Sequence, residues 1–372
     1  MLVYATNLAL VFVFAFLADH LRVQAAAGIR GGAKPNLWFV FLVIASLTLV
    51  AGLRFMVGTD YVNYSIAYQD IRTDFGQAVQ IHDTEYGYMA LAWIFGCFFK
   101  MPFAFLAFLA LLTNMLVVLS LRESSEMFWF SCVLYILMYF YFTTFNLVRQ
   151  SLAVSITFFA HKHLVEKKFF HYLLFVLLAS LFHYSALILI PIYFVVHRPA
   201  WSRLIFFGFI AVGLVLVFYD SVMNVVFSLL SGTRYSVYEE VVTEAGDGVG
   251  ILRIAVAAAP VALSLLFKGR LKEHNVIVNM SAINLMITLL ATRQIYFVRM
   301  SFYFSIYYLL LLPVLVGLLK DAKTKFIACL ALLFCYGAYC YVLLPVEGGV
   351  LPYQTIASAP KDWNIMNYIF TR

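Results

Sequence analysis

Residues 2–18, 37–53 and 102–121 run without one charged side chain, and apolar stretches of similar length recur almost to residue 345. No other feature constrains the fold as much. A hydrocarbon core about 30 Å thick takes about 20 helical residues to cross. Inside it every backbone N–H and C=O must be paired within the protein, which leaves only helices or closed barrels. The runs are continuous rather than alternating, so they read as helices. Spans are expected at about 3–18, 37–53, 102–121, 127–145, 146–160, 169–182, 184–197, 203–219, 251–267, 276–292, 295–318 and 325–345. That makes about 12 transmembrane helices in an all-α, polytopic membrane protein. The runs 146–160, 169–182 and 184–197 are short for a full crossing and are expected to be tilted, broken or offset toward one face. Only 12% of residues are charged, half the ~25% of a soluble chain. Residues 1–372 are therefore read as a single integral membrane domain. No Lys or Arg precedes Arg22, so the first run lacks the basic start of a secretory signal and reads as a retained helix.

Basic residues set the orientation. With the N-terminus outside and 54–100 kept outside, the inner connections hold 15 of the 25 basic residues against six of the 18 acids. The outer side holds the other ten against twelve, so the balance is +9 inside and −2 outside, summing to the net +7. Both termini fall outside, and the outer segments are about 54–100, 220–250 and 346–372. One assignment carries this result. Residues 86–99 are apolar enough to span, but 14 helical residues reach only about 21 Å. They are read as an interfacial or re-entrant helix in the first outer loop; a crossing there would move the later basic loops outside and erase the bias.

The two sides differ in the kind of cation they carry. Nine of the fifteen inner basic residues are Lys, whereas eight of the ten outer ones are Arg. Lysine is the ordinary topology signal. Arginine within or beside a span needs another reason, since charge at membrane depth is costly and marks a site by default. A guanidinium fork grips phosphate oxygens in pairs and stays charged. Arg54, Arg149, Arg253, Arg293 and Arg299 are such positions; snorkelling or internal pairing is the plainer reading of any one of them. Asn146, Arg149, Gln150 and Thr157 share one helical stripe, as do Tyr296, Arg299, Tyr303 and Tyr307, and Ser281, Asn284, Thr288 and Thr292. Such stripes either line a polar cavity or join helices by hydrogen bonds.

Acid–base candidates on the same side are few: Asp60 after a Gly-Thr turn, Glu85 before Tyr86-Gly87-Tyr88, and His183 at a tight junction. Asp60 could equally be the ion-pair partner of Arg54. Metal-ligand spacing, P-loops, GxGxxG and GxSxG are absent, so neither metal nor cofactor is expected, and no nucleic-acid partner. An outer, arginine-rich site with a carboxylate and an imidazole suits glycosyl transfer from an anionic lipid: the arginines hold a diphosphate leaving group while a base takes the proton of an attacking hydroxyl.

Several pieces of the chain carry a resemblance. They are Leu53-Arg54 with Val57-Gly58-Thr59-Asp60-Tyr61 and Tyr64; Glu85-Tyr86-Gly87-Tyr88; Asn146 with Arg149-Gln150; and Phe182-His183-Tyr184-Ser185-Ala186. Together they resemble the EpsG-like branch of the Wzy-type bacterial polysaccharide polymerases. The resemblance implies a GT-C-like enzyme of the bacterial cytoplasmic membrane. Its substrate would be an undecaprenyl-diphosphate-linked oligosaccharide, and its partners membrane lipids and the flippase and chain-length regulator of the same pathway. It implies diphosphate contacts for Arg54, Arg149 and Arg299, joined by Arg253 and Arg293 from the charge argument; sugar-contacting positions do not carry over from the family, and Tyr61, Tyr64, Gln150 and Tyr303 are candidate substrate contacts. It leaves the base open among Asp60, Glu85 and His183. An O-antigen ligase or other lipid-linked glycosyltransferase would need the same parts. A flippase of the lipid-linked repeat should line a path from both leaflets, and a membrane O-acyltransferase would want its histidine on the inner side.

The charge bias makes a direct prediction. Glu85→Cys and Glu240→Cys should react with a membrane-impermeant thiol reagent from outside; labelling of Glu85→Cys from the cytoplasm alone would overturn the orientation.

Overall fold

The apolar runs fold as helices of unequal length. A computed structural model describes residues 1–23, 33–82, 84–230 and 248–358. Among them no strand forms, only the isolated bridges Val23–Lys34 and Arg54–Thr355. Glu240 and most of the acidic 220–250 segment lie outside the described residues. The chain divides into two compact units, Met1–Leu189 with Leu319–Arg372, and Ile190–Leu318.

The first unit contains α1 (Leu2–His20), α2 (Leu37–Gly52), α3 (Tyr61–Thr73), α4 (Phe75–Ile81), α5 (Tyr86–Gly96) and α6 (Pro102–Ser124). They are followed by α7 (Phe128–Leu137), α8 (Phe140–Thr143), α9 (Val148–Phe159), α10 (His161–Val165) and α11 (Phe169–Ser180). The second unit holds α12 (Leu189–Val196), α13 (Arg203–Val217), α14 (Tyr219–Leu230), α15 (Ile251–Leu266), α16 (Asn275–Leu290), α17 (Tyr296–Ser305) and α18 (Tyr308–Gly317); α19 (Ala322–Leu343) returns to the first.

Among the described residues three helices (α1, α6 and α19) are long and apolar enough to cross a bilayer, and two bent pairs would make five. The other expected spans are shorter or broken. The run 127–145 breaks at Tyr139, whose φ of 71° ends α7. The run 203–219 ends in an 88° turn into α14, and 295–318 bends by 44° between α17 and α18. Chain that apolarity alone reads as outer loop, just after residue 219, is therefore helical. Polar and aromatic side chains can satisfy a broken backbone where it is buried in protein; the Tyr139 hydroxyl, for instance, donates to the Glu347 carbonyl at 2.7 Å.

In the first unit α2 packs between α1 and α6, α6 against α9, α9 against α11, and α7 against α1 and α19. The two ends of this bundle differ chemically. At one end Lys34 pairs with Glu123, Arg122 donates to the Pro35 carbonyl at 3.0 Å, and Asp19 accepts from Arg22 and the Trp129 N–H. At the other, a Cβ added to Gly52 would lie 2.8 Å from Ala107 Cβ. So α2 and α6 run antiparallel, and residues 54–100 leave and re-enter the bundle at the same end. The 11 residues of α5 rise about 16 Å, half a bilayer core.

In the second unit α16 packs against α13, α15, α17 and α18. Asn284 donates to the Tyr308 hydroxyl at 2.9 Å, which donates to the Ala257 carbonyl at 2.8 Å. The other members of its stripe, Ser281, Thr288 and Thr292, turn their hydroxyls onto carbonyls of their own chain. Here the stripe fastens helices.

The α2–α6 contact predicts that Gly52→Leu destabilises the fold. Overpacking at so close an approach should cost about 1–3 kcal/mol, read as a lower melting temperature of the detergent-solubilised protein, whereas Gly337→Leu, with open space around its Cβ position, should leave it unchanged.

Candidate functional site

Two arginines organise the end of the first unit away from the Lys34–Glu123 pair. Arg54 follows the last turn of α2 and is 2% exposed. Its Nη1 donates to the Ala51 carbonyl and its Nη2 to the Phe145 carbonyl, both at 3.1 Å, and the guanidinium stacks 4.5 Å over the Phe145 ring. Ala51 offers a helix-end carbonyl with no intrahelical donor, so the arginine caps α2 and joins it to the chain before α9. Burial pushes its guanidinium down to about 10, against the opposing pull of the Tyr61 and Tyr141 phenols. Arg54 makes no ion pair with Asp60.

After Arg54 the chain makes a tight turn. Gly58 has φ +101°, and a Cβ there would meet the Asn146 side chain and the Phe145 carbonyl at 3.0 Å. Only glycine fits such a position without strain. Residues 348–356 lie alongside as a strap. Gly58 and Thr59 donate backbone N–H groups to the carbonyls of Gly349 and Gly348, Phe55 donates to Gln354, and Ile356 donates to Leu53. Tyr4 and Tyr353 fasten the strap through the Val350 and Val50 carbonyls. This holds Asp60, half-buried, at the head of α3, with Tyr61 fully buried behind it.

Arg149 lies in the first turn of α9 and pairs with Glu85, the residue that opens α5. Glu85 is 6% exposed, and its second oxygen accepts the Tyr184 N–H at 3.3 Å. The Arg149 guanidinium stacks 5.7 Å over Tyr88 and interacts with the Tyr64 hydroxyl. Tyr64 and Tyr88 lie with ring centroids 6.1 Å apart. Arg149 Nε and the Tyr88 hydroxyl are buried without a hydrogen bond. His183 Nδ1 contacts the Ser185 hydroxyl at 2.6 Å, one residue from the Tyr184 amide that holds Glu85. The start of α5 is forced against this junction, since a Cβ on Gly87 would lie 2.5 Å from the Leu181 carbonyl oxygen.

The first unit thus gathers Arg54, Asp60, Tyr61, Tyr64, Glu85, Arg149 and His183 on loops and helix ends, with Gln150 buried beside Arg149. Arg253, Arg293, Arg299 and Tyr303 belong to the second unit. There Val249 donates to the Ala291 carbonyl at 3.0 Å, which brings the start of α15, carrying Arg253, to the turn carrying Arg293. Arg293 stacks 5.9 Å over Tyr219, Arg299 is exposed on α17, and Tyr303 is fully buried. Asn146 is not part of a helical stripe, because α9 begins only at Val148; its amide instead bonds Thr59, Asp60 and Gly348.

A model of the EpsG family matches residues 37–355, from the start of α2 to the strap. The chain belongs to the EpsG family. No curated protein and no solved structure matches it. In this EpsG family member the matched stretch takes in both units and every candidate residue named above. Tyr88, Asn146 and the Gly348-Gly349 pair were not singled out as site residues from sequence. The adjacent glycines, both at positive φ, were the available signal for the strap.

Removing one partner of a buried ion pair costs about 3–5 kcal/mol, because the survivor stays charged and unpaired. Glu85→Gln and Arg149→Met should each lower the melting temperature, and the double variant should lower it by clearly less than the sum. Additive shifts would show that the two residues are not coupled.

Proposed function

We propose that this EpsG family protein is a Wzy-type polymerase of GT-C-like architecture, acting at the outer face of the bacterial cytoplasmic membrane. It joins undecaprenyl-diphosphate-linked oligosaccharides into a surface polysaccharide. The observation that carries this reading is Arg149. Its guanidinium is held by Glu85 and Tyr88 yet 26% exposed at its side chain, whereas its unpaired Nε–H donor is enclosed. An arginine has five such donors, enough to serve a carboxylate and still bind diphosphate oxygens.

In the proposed step a hydroxyl of the incoming lipid-linked repeat attacks the anomeric carbon of the growing chain. The new glycosidic C–O bond forms as the bond to the diphosphate oxygen breaks; that oxygen keeps the electron pair and leaves as undecaprenyl diphosphate. A base takes the hydroxyl proton, and arginine stabilises the charge that develops on the leaving group. Asp60 suits the base best. Both Glu85 oxygens are engaged, by Arg149 and by the Tyr184 N–H, so Glu85 anchors the arginine. Asp60 is half-buried, one turn before Tyr64. The second unit's Arg253, Arg293 and Arg299 are proposed as phosphate contacts from the sequence argument alone.

Deletion of the gene should abolish long surface glycans while single repeats remain; accumulation of unflipped lipid-linked repeat would instead identify a transporter. Arg149→Lys and Arg299→Lys should each abolish polymer at normal expression, because an ammonium cannot reproduce the two-pronged contact. Wild-type chain lengths in both variants would remove the diphosphate clamp.

A further inference from the structure

We propose that Asn146 is the positioning residue of this site, a role that rests on the polymerase reading. One side-chain amide ties three segments together. Its Oδ1 accepts from Thr59 Oγ1 at 3.1 Å and from the Asp60 N–H at 3.4 Å. Its Nδ2 donates to the Gly348 carbonyl of the strap at 2.9 Å. Its neighbour Phe145 offers the carbonyl that takes Arg54 Nη2, and three residues later Arg149 pairs with Glu85. Asn146 therefore sets the backbone of the proposed base against the turn that leads into the arginine helix.

The slot around the amide is tight. A Cβ on Gly58 would come 3.0 Å from Oδ1, and a Cβ on Gly348 would come 2.5 Å from Nδ2. Two glycines at positive φ, +101° and +68°, thus make room for one side chain that must donate on one side and accept on the other. Of the small side chains, aspartate lacks the donor and would face the Gly348 carbonyl with charge. Alanine lacks both functions, and glutamine is a methylene too long for the slot. Asn146 touches neither the lipid diphosphate nor the acceptor sugar in this assignment; it acts through Asp60.

The test uses the full-length protein in detergent micelles. Hydrogen exchange at the Gly58 and Thr59 amides, which bond the strap, should be about tenfold faster in Asn146→Ala and Asn146→Asp. With purified lipid-linked repeat as substrate, kcat should fall about tenfold or more, while KM stays within about twofold. Unchanged exchange, or wild-type kcat per folded molecule, would overturn the assignment. Should both variants fail to fold, Thr59→Val and Thr59→Ser decide. The Thr59 hydroxyl reaches both Asn146 Oδ1 and Asp60 Oδ1, so exchange rather than kcat is read in these variants: it should quicken at the strap-bonded amides in the valine variant and recover in the serine variant, and equal exchange would overturn the assignment. The exchange readout needs no activity, so a wrong polymerase reading would appear separately, as a wild-type protein that makes no polymer.

Discussion

A guanidinium removed from water draws acceptors and aromatic faces around it, and in this protein that demand shapes the arginine-bearing end of the first unit. Arg54 is met by two carbonyls from segments about 90 residues apart and by an aromatic face. Arg149 is met by a carboxylate, a phenol and a second aromatic face. Each solution recruits a different set of elements: Arg54 joins α2 to the approach of α9, and Arg149 joins α9 to α5 and to the junction after α11. Four helix ends are thereby fixed around two positive charges.

The two arginines divide the labour. Arg54 is almost wholly enclosed and has spent its terminal nitrogens on the backbone, so its chemistry is structural in the first instance. Arg149 remains partly open, its side chain 26% exposed, although the Nε of each arginine is buried without a partner. The same residue type thus caps a helix in one place and stays partly open in the other, and burial makes the difference.

Much of this was legible in the sequence. The Lys/Arg asymmetry and the short run at 86–99 placed 54–100 at one end of the bundle, and the antiparallel α2–α6 contact has both ends of that segment there. What periodicity misjudged was local and had a physical cause. The stripe from Asn146 assumed that the helix began there, yet the Asn146 amide is committed to a loop and a strap, and α9 starts two residues later. The stripe through Asn284 matched the helix, but three of its hydroxyls close onto carbonyls of their own chain, an option that spacing cannot distinguish from a cavity lining. Asp60 was one of two things, a base or the ion-pair partner of Arg54; the Ala51 and Phe145 carbonyls meet that arginine instead, and nothing local in the sequence marks Phe145. The strap escaped for the same reason, being joined to its partner by contacts across almost the whole chain.

That separation has a consequence in time. Tyr4 is fastened to Val350, 346 residues later, and the Gly58-Thr59 turn to Gly348-Gly349. At about 5–20 residues per second of synthesis, the turn waits roughly 15–60 s for the segment that locks it. Until then a nascent chain can insert its early helices but cannot hold Asp60 in place. The geometry around Asp60 is in effect withheld until translation has passed α19 and the strap that follows it.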